Sequence, residues 1–520
     1  MKSVMAHSFS QAPSVETPRT SFNRSHGLKT TLDAGYLVPI FVDEALPGDT
    51  LSLNPSVFAR LATPINPIMD NLFLDQHYFA VPVRLIWDNF RKFCGEQVNP
   101  SDSTDYTVPV MVSPAGGYAN GSLQDYLGIP TKVENLEHSA LFTRAYNLIY
   151  NEWFRDQNLI DSAVVDTNDT ADTYTDYVLR KRGKRHDYFT SCLPWLQKGD
   201  AVSLPLGESA PIRADTTGGS TDQLAILASS GLINKRLEVT GSNITIDANS
   251  GQAPMYADLT VATASTVNEL RQAFQIQKLL ERDARSGTRY AEIVNAHFGV
   301  KFLDVTYRPE FLGGSSTPIQ INTVPQTSET GTTPQGNLSA FGTAVDQSGG
   351  FTKSFTEHCI VIGIASVRAD LTYQQGLDRM FSRSTRYDFY WPALAHIGEQ
   401  SVLMKEIYAQ NDSTDTGATG IPDNERVFGY QERFAEYRYK QSKITGKFRS
   451  NDTASLDPWH LSQEFGSLPG LNQTFIEETP PMDRVLAVPS EPDLILDAYF
   501  NYQCARPMPM YSVPGLIDHF

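Results

Sequence analysis

The sequence predicts a mainly β sandwich with long helical and loop excursions between its strands. Three observations lead there. Runs with strand character gather near both ends of the 520-residue chain, so strands distant in sequence must pair. Helical patterns occur between them without the regular βαβ alternation of a parallel sheet. Long Ser/Thr/Gly-rich stretches separate the patterned segments, as insertions between strands do. With 40% hydrophobic residues, the chain can fill a large core.

The strand runs begin after a polar start. Tyr36-Leu-Val-Pro-Ile-Phe-Val42 is a short apolar run ended by the turn signal Pro47-Gly-Asp49. Asn71 to Val83 is a second run, its prolines placing it at an edge or a strand end. Between them, Ser56–Leu61 reads as a short helix. Cys359-Ile-Val-Ile-Gly-Ile-Ala-Ser-Val367 is β-branched and free of charge, the mark of a buried strand. Asp483–Val488 and Leu494–Tyr502 complete the set, the latter alternating near its end.

Two helices are predicted. Ser139 can cap one that places Phe142, Tyr146, Ile149 and Trp153 on one face. Thr266-Val-Asn-Glu269 has the capping-box pattern and opens a second, with Leu270, Ala273, Phe274 and Ile276 at helical spacing and Ser286-Gly287 at its end. Residues 206–263 change composition, with Tyr256 their only aromatic. They read as an inserted surface module with short strands at Leu237–Val239 and Ile244–Ile246. Residues 313–350 form a second polar segment, read as loop. The termini, 1–30 and 506–520, read as extended arms around two stretches of body, 31–205 and 264–505. For the first, a frayed end is the equal alternative.

Charge and motifs narrow the function. A net charge of −17 argues against a surface that grips nucleic acid all over and confines such contact to a local basic patch. Cys94, Cys192, Cys359 and Cys504 are far apart, with neither CxxC nor zinc spacing. They read as reduced, mostly buried thiols of a reducing cytoplasm. No apolar stretch is long enough for membrane insertion. GxGxxG, Walker A, HExxH and GxSxG are all missing, so the chain is read as no enzyme, and no cofactor is expected. Asp412 to Asp423 imitates a calcium loop but offers too few hard oxygen ligands.

Two segments remain as candidate binding surfaces. Arg180, Lys181, Arg182, Lys184 and Arg185 crowd around Gly183, followed by Tyr188, Phe189 and Trp195, a mix that suits phosphate contact with base stacking. Pairing of the same arginines with carboxylates across a subunit interface is the equal alternative. Phe428–Tyr439 is dense in aromatics and charges. Within it Tyr430, Arg433, Tyr437, Arg438 and Tyr439 are candidate subunit-interface residues, since Tyr and Arg are favoured there.

Several segments carry a family resemblance. They are Lys181-Arg-Gly-Lys-Arg-His-Asp-Tyr-Phe-Thr190 with Leu193-Pro-Trp195, Phe274–Arg285, Thr385-Arg-Tyr-Asp-Phe-Tyr-Trp-Pro392, the aromatic stretch 428–439, Trp459-His-Leu461 and Tyr499-Phe-Asn501. In order and over nearly the whole chain, the sequence resembles the major capsid proteins of gokushoviruses, a branch of the microviruses. The resemblance implies an eight-stranded antiparallel jelly roll of viral capsid type. It also implies a T=1 icosahedral shell of identical copies around a circular single-stranded DNA genome, made in the cytoplasm of a host bacterium. The partners it implies are the chain itself, that DNA, a small basic DNA-binding protein, a pilot protein, a scaffolding protein and a host surface receptor. Residues 206–263 match, by position and composition, the variable insertion that relatives project near the three-fold axes, with host attachment as its implied role. Arg182 and Arg185 become candidates to face the genome. A non-viral jelly-roll carbohydrate-binding module and a β-sandwich hydrolase are the competing readings; the first would form small oligomers, the second needs a converging acid/base pair.

Overall fold

A computed structural model of the chain describes residues 18–202, 267–301 and 306–511, except 412 and 418, and the backbone of five short strands between 212 and 257. It divides into two compact units, residues 195–299 and the remainder.

The larger unit is mainly β, and the two large sheets that frame it are antiparallel. Eight strands frame it: β1 (His26–Leu32), β2 (Val38–Ala45), β3 (Thr50–Leu61), β4 (Leu72–Pro82), β5 (Glu310–Pro318), β6 (Leu338–Asp346), β7 (Cys359–Ala369) and β8 (Leu494–Arg506). One sheet runs β1-β8-β3-β6 and the other β2-β7-β4-β5. Thr20–Asn23, Gln320–Pro325 and Phe351–Ser354 extend the first sheet beside β8, β6 and β3. The first and last strands are therefore neighbours, as the distant pairing in the sequence demands.

Period-two patterning explains the layers. Along β8, Leu494, Leu496, Ala498, Phe500, Tyr502 and Cys504 are buried and the residues between them exposed. One face of this sheet is packed and the other solvated. Strand β7 is buried along its whole length. Val361, Ala365 and Val367 join the core between the sheets, while Ile360, Ile362 and Ile364 join a second core. That second core is closed by helix α1 (Leu141–Ile149) through Ala145, Tyr146 and Ile149. Each buried isoleucine contributes about 1.5–3 kcal/mol relative to exposure. Gly363 has a steric reason: a Cβ there would stand 2.6 Å from the Tyr78 ring and 2.9 Å from Phe41 Cβ, at a register shift between β7 and β2.

Several expectations are corrected. Ser56–Leu61 is not helix but the end of β3, whose Val57, Ala59 and Leu61 point inward. Residues 313–350 are not loop: they hold most of β5, all of β6 and Gln320–Pro325. Asp483–Val488 is not a strand; Met482–Arg484 forms a 3-10 turn. The expected arm 1–30 divides, with residues 1–17 outside the described residues and Thr20–Asn23 and β1 hydrogen-bonded along β8. At the other terminus Arg506 ends β8, and 512–520 lie outside the described residues.

The smaller unit contains α2 (Val267–Ser286) and α3 (Tyr290–Phe298). Helix α2 forms where the capping pattern predicts it. It buries Ala273 and Ala284 and leaves Leu270, Phe274 and Ile276 exposed, so the expected apolar stripe is not core. Within the expected insertion 206–263, Leu237 pairs with Ile246 and Val239 with Ile244, as two antiparallel strands. The rest of that stretch, apart from three more short strands, lies outside the described residues.

Candidate genome-contact and subunit-contact surfaces

The basic segment 180–185 runs extended along the β sandwich, with bridges from Lys181 to Tyr36 and from Gly183 to Glu477. An extended chain turns alternate side chains to opposite sides. Arg182 and Lys184 accordingly face inward. Arg182 Nη1 donates to Asp75 Oδ2 at 2.6 Å and to Ser366 Oγ at 2.9 Å. Asp75 also receives Arg368 Nε at 2.9 Å and Ser316 Oγ at 2.5 Å. Register explains the cluster, because Asp75 of β4 stands opposite Ser366 of β7 and Ser316 of β5. Burial pushes the Asp75 carboxyl up, but the Ser316 and Arg182 bonds outweigh it and hold it below the usual carboxylate range.

Lys184 is buried, its Nζ donating to the Phe475 carbonyl at 2.5 Å and to Gln463 Oε1 at 3.0 Å. Burial pushes its amine down to about 8. Arg180 lies over the Tyr150 ring and donates to the Asp176 carbonyl at 3.1 Å. Lys181 reaches Thr479 Oγ1 at 3.3 Å and stands 5.0 Å from the centroid of Tyr36. Arg185 is exposed, as is His186. Of the five cations, then, two are fastened inside the fold, and Lys181 and Arg185 lie on the outward side of the strand.

His77 of β4 lies near this network. It stacks on Phe79 and meets Phe154 edge-on, and its Nδ1 is buried without a hydrogen-bond partner. Burial lowers its pKa from 6.5 to about 4, with Arg182 and Arg368 adding to that against the pull of Asp75. A depressed folded pKa means the unfolded chain binds the extra proton first. The part of the stability that depends on a neutral His77 is therefore full above about pH 6.5 and falls as pH drops toward 4, by up to about 3 kcal/mol. His77→Phe is expected to flatten urea-unfolding free energies across that window; an unchanged slope would assign the acid sensitivity elsewhere.

The aromatic stretch 428–439 is held by the antiparallel pairing of Glu399–Leu403 with Val427–Glu432. Tyr430 exchanges backbone hydrogen bonds with Leu193, 2.8 Å each way. Phe434 is buried at φ 63°, and Arg433 lies over its ring and donates to the Tyr387 carbonyl at 2.8 Å. Arg438 pairs with Glu432. Tyr437 and Tyr439 are exposed.

A second segment joins them, one that the sequence marked for its family resemblance but not as a contact surface. Tyr390 meets Phe434 and Tyr437 edge-on, with centroids 5.3 and 6.2 Å apart. Arg383 stacks 4.3 Å from the Tyr437 centroid, and Arg386 lies 4.8 Å from that of Trp391. Asp388 fastens the turn by accepting from Ser384 and Thr385, bonds that hold its carboxyl at about 2. Tyr387 is 67% exposed, and Phe389, Tyr390, Trp391 and Tyr437 between 43% and 51%. The signal was present in Arg386-Tyr-Asp-Phe-Tyr-Trp391, where four aromatics fall in six residues.

The calcium-like loop is occupied otherwise. Arg426 pairs with Asp415 at 2.6 Å and Asp423 at 3.1 Å, and Asp412 lies outside the described residues. Among the described residues no three His, Cys, Asp or Glu side chains converge to hold a metal, and no helix is long and apolar enough to cross a membrane. Cys192, Cys359 and Cys504 are buried thiols, and Cys94 is exposed.

Exposed tyrosines, a tryptophan and arginines fixed on a β sandwich are the residue types that dominate protein interfaces. Comparison with known proteins makes this specific. A family model for the capsid protein (F protein) matches residues 10–516. Capsid protein VP1 of Bdellovibrio phage phiMH2K is 50% identical over 536 aligned residues, covering 99% of this chain and 98% of that one. Capsid protein VP1 of Chlamydia phage 1 is 46% identical, with 99% and 98% covered. That of Spiroplasma virus 4 is 36% identical, with 98% and 97% covered. The chain belongs to the capsid protein (F protein) family of the microviruses, on its gokushovirus branch. It is a structural protein of the virion, not an enzyme.

Proposed function

We propose that this chain is the major capsid subunit of a small single-stranded DNA phage, that its sandwich is the viral jelly roll, and that its copies close into a T=1 shell around circular DNA. The observation that carries the reading is the full-length similarity to capsid proteins of three phages. The strand order supports the fold: β1-β8-β3-β6 facing β2-β7-β4-β5 is two interleaved Greek keys, the connectivity of a jelly roll. The aromatic surface at 385–391 and 433–439 supplies a subunit contact, and Tyr430 of the neighbouring strand belongs to the same proposed interface. Velocity sedimentation of purified protein tests the assembly: closed particles support it, and a persistent monomer contradicts it.

The genome contact belongs to the outward cations of the basic strand, Lys181 and Arg185; Arg180 falls on the inward side, over Tyr150. Arg182 and Lys184 hold that strand in place. Neutralising Lys181 and Arg185 to Gln is expected to lower packaged DNA several-fold while shells still form. Arg182→Gln is expected instead to reduce soluble protein, because it removes a charge partner of buried Asp75. Equal loss of shells from both variants would move Lys181 and Arg185 to an interface.

Residues 206–263 act in host attachment through a surface receptor. Their deletion is expected to leave soluble protein and shells intact and to abolish adsorption; loss of soluble protein would place this segment in the folding core. A small basic DNA-binding protein, a pilot protein and a scaffolding protein complete the set of partners.

A further inference from the structure

We infer that the segment after β8, Pro507-Met-Pro-Met-Tyr511, docks in a tyrosine-lined groove of the next copy, joining copies head to tail. The inference rests on the reading of the chain as a self-assembling subunit and names one of its contacts.

The groove has a volume of about 920 Å³ and is lined by Tyr36, Tyr118, Tyr126 and Tyr174, with Asp33 and Asn120 exposed among them. Its rings are held in place. Tyr126 Oη donates to the Thr31 carbonyl at 3.0 Å. Tyr118, itself buried, bonds His138 Nε2 at 2.8 Å and meets Tyr174 edge-on at 6.4 Å. A groove of fixed aromatic faces is the receptor that proline-rich segments fit, because proline rings pack flat on them and an extended polyproline chain loses little freedom on docking.

The chain carries a proline-rich segment, bent at its start where the Met508 N–H donates to the Arg506 carbonyl at 2.9 Å. Pro507 and Pro509 alternate with Met508 and Met510, which are 42% and 56% exposed, and Tyr511 is 78% exposed. Three large apolar side chains within four residues thus stand in solvent.

Geometry excludes the chain's own groove. Thr31 and Pro492 line it, and Thr31 pairs with Ile495 at the start of β8. The proline segment leaves from the other end, where Ala505 pairs with Thr50. The 13 residues of β8 hold those ends about 40 Å apart at ~3.3 Å per residue. Pro507–Tyr511, fully extended, spans only about 17 Å. The occupant must come from another copy. Such a contact joins two different surfaces, and repeats of it close into a ring when the rotation per step divides a full turn.

Cross-linking tests this in the full chain. In a Cys94→Ser background, which removes the exposed thiol, Tyr174→Cys and Met510→Cys are prepared separately, mixed during assembly and treated with a short bis-maleimide. A cross-linked dimer is expected in the mixture and not in either protein alone, and the double variant is expected to give a ladder of oligomers. Normal particles without the dimer, or a product within one chain, would overturn the inference and leave the shell reading standing. If wild-type protein forms no particles, the shell reading falls and the groove is free to be probed directly. Fluorescence anisotropy of a labelled peptide of residues 506–513 then decides. Binding weakened at least ten-fold by Tyr174→Ala, and by Pro507→Gly with Pro509→Gly in the peptide, supports the inference. Absent or unchanged binding overturns it, as does saturable binding of a neutral oligosaccharide in place of the peptide.

Discussion

Replacing Asp172 with alanine is expected to lower unfolding free energy by about 3–5 kcal/mol, the cost of leaving a buried charge without its partner. Asp172 and Arg144 both have fully buried side chains. Arg144 Nε donates to Asp172 Oδ2 at 2.8 Å and Nη2 to Oδ1 at 2.6 Å, a two-pronged pairing. Nη1 of the same guanidinium binds the carbonyls of Ile86 and Asn168. Arginine remains charged when its partner is removed, because its pKa lies above 12. The pair also ties α1 to the segment around 168–172, so the loss would loosen the layer that covers β7. Urea unfolding checks the effect. Arg144→Met combined with Asp172→Leu is expected to cost less than Asp172→Ala alone, since it removes both charges together. A single-variant cost below about 1 kcal/mol would show that water reaches the guanidinium.

The second large effect is on assembly. Tyr387→Asp combined with Trp391→Asp is expected to raise the concentration needed for shell formation by at least 100-fold, with stability unchanged within about 0.5 kcal/mol. Both side chains are exposed, so neither fills the core of the subunit. Half-exposed rings at Tyr387, Phe389, Tyr390, Trp391 and Tyr437 offer roughly 400–500 Å², about half of one side of a standard interface. A carboxylate placed there would lose its water at every symmetric copy of the contact. Light scattering against protein concentration measures the threshold, and thermal unfolding of the unassembled variant checks the fold. Normal shells from this variant would remove 385–391 from the interface.

How far the sequence could be read depended on whether a local pattern had one physical cause. Cys359–Val367 is an almost wholly apolar run because β7 is buried on both faces, and its β-branched residues favour a strand over a buried helix. Leu494–Tyr502 alternates because one face of β8 is wet. Thr50–Leu61 misled because Pro55 interrupts it and Ser56–Leu61 alone resembles a helical turn. Read from Leu51, the residues Leu51, Leu53, Pro55, Val57, Ala59 and Leu61 all point inward with period two. Strand β6 was hidden by small residues that close packing requires; a Cβ on Gly342 would lie 2.8 Å from Leu61 Cβ. In the basic segment, composition counted the cations, but only the backbone shows that Arg182 and Lys184 turn inward. The tyrosine groove was illegible because Thr31, Tyr118, Tyr174 and Pro492 meet only in the folded chain.

Cryo-electron microscopy of particles assembled from purified wild-type chain tests most directly whether the work of this protein is done by its surfaces. The expected map is a closed shell of icosahedral symmetry in which Tyr387, Trp391 and Tyr437 are covered by a neighbouring copy. Discrete single subunits, or a shell in which those three side chains remain bathed in solvent, would contradict it.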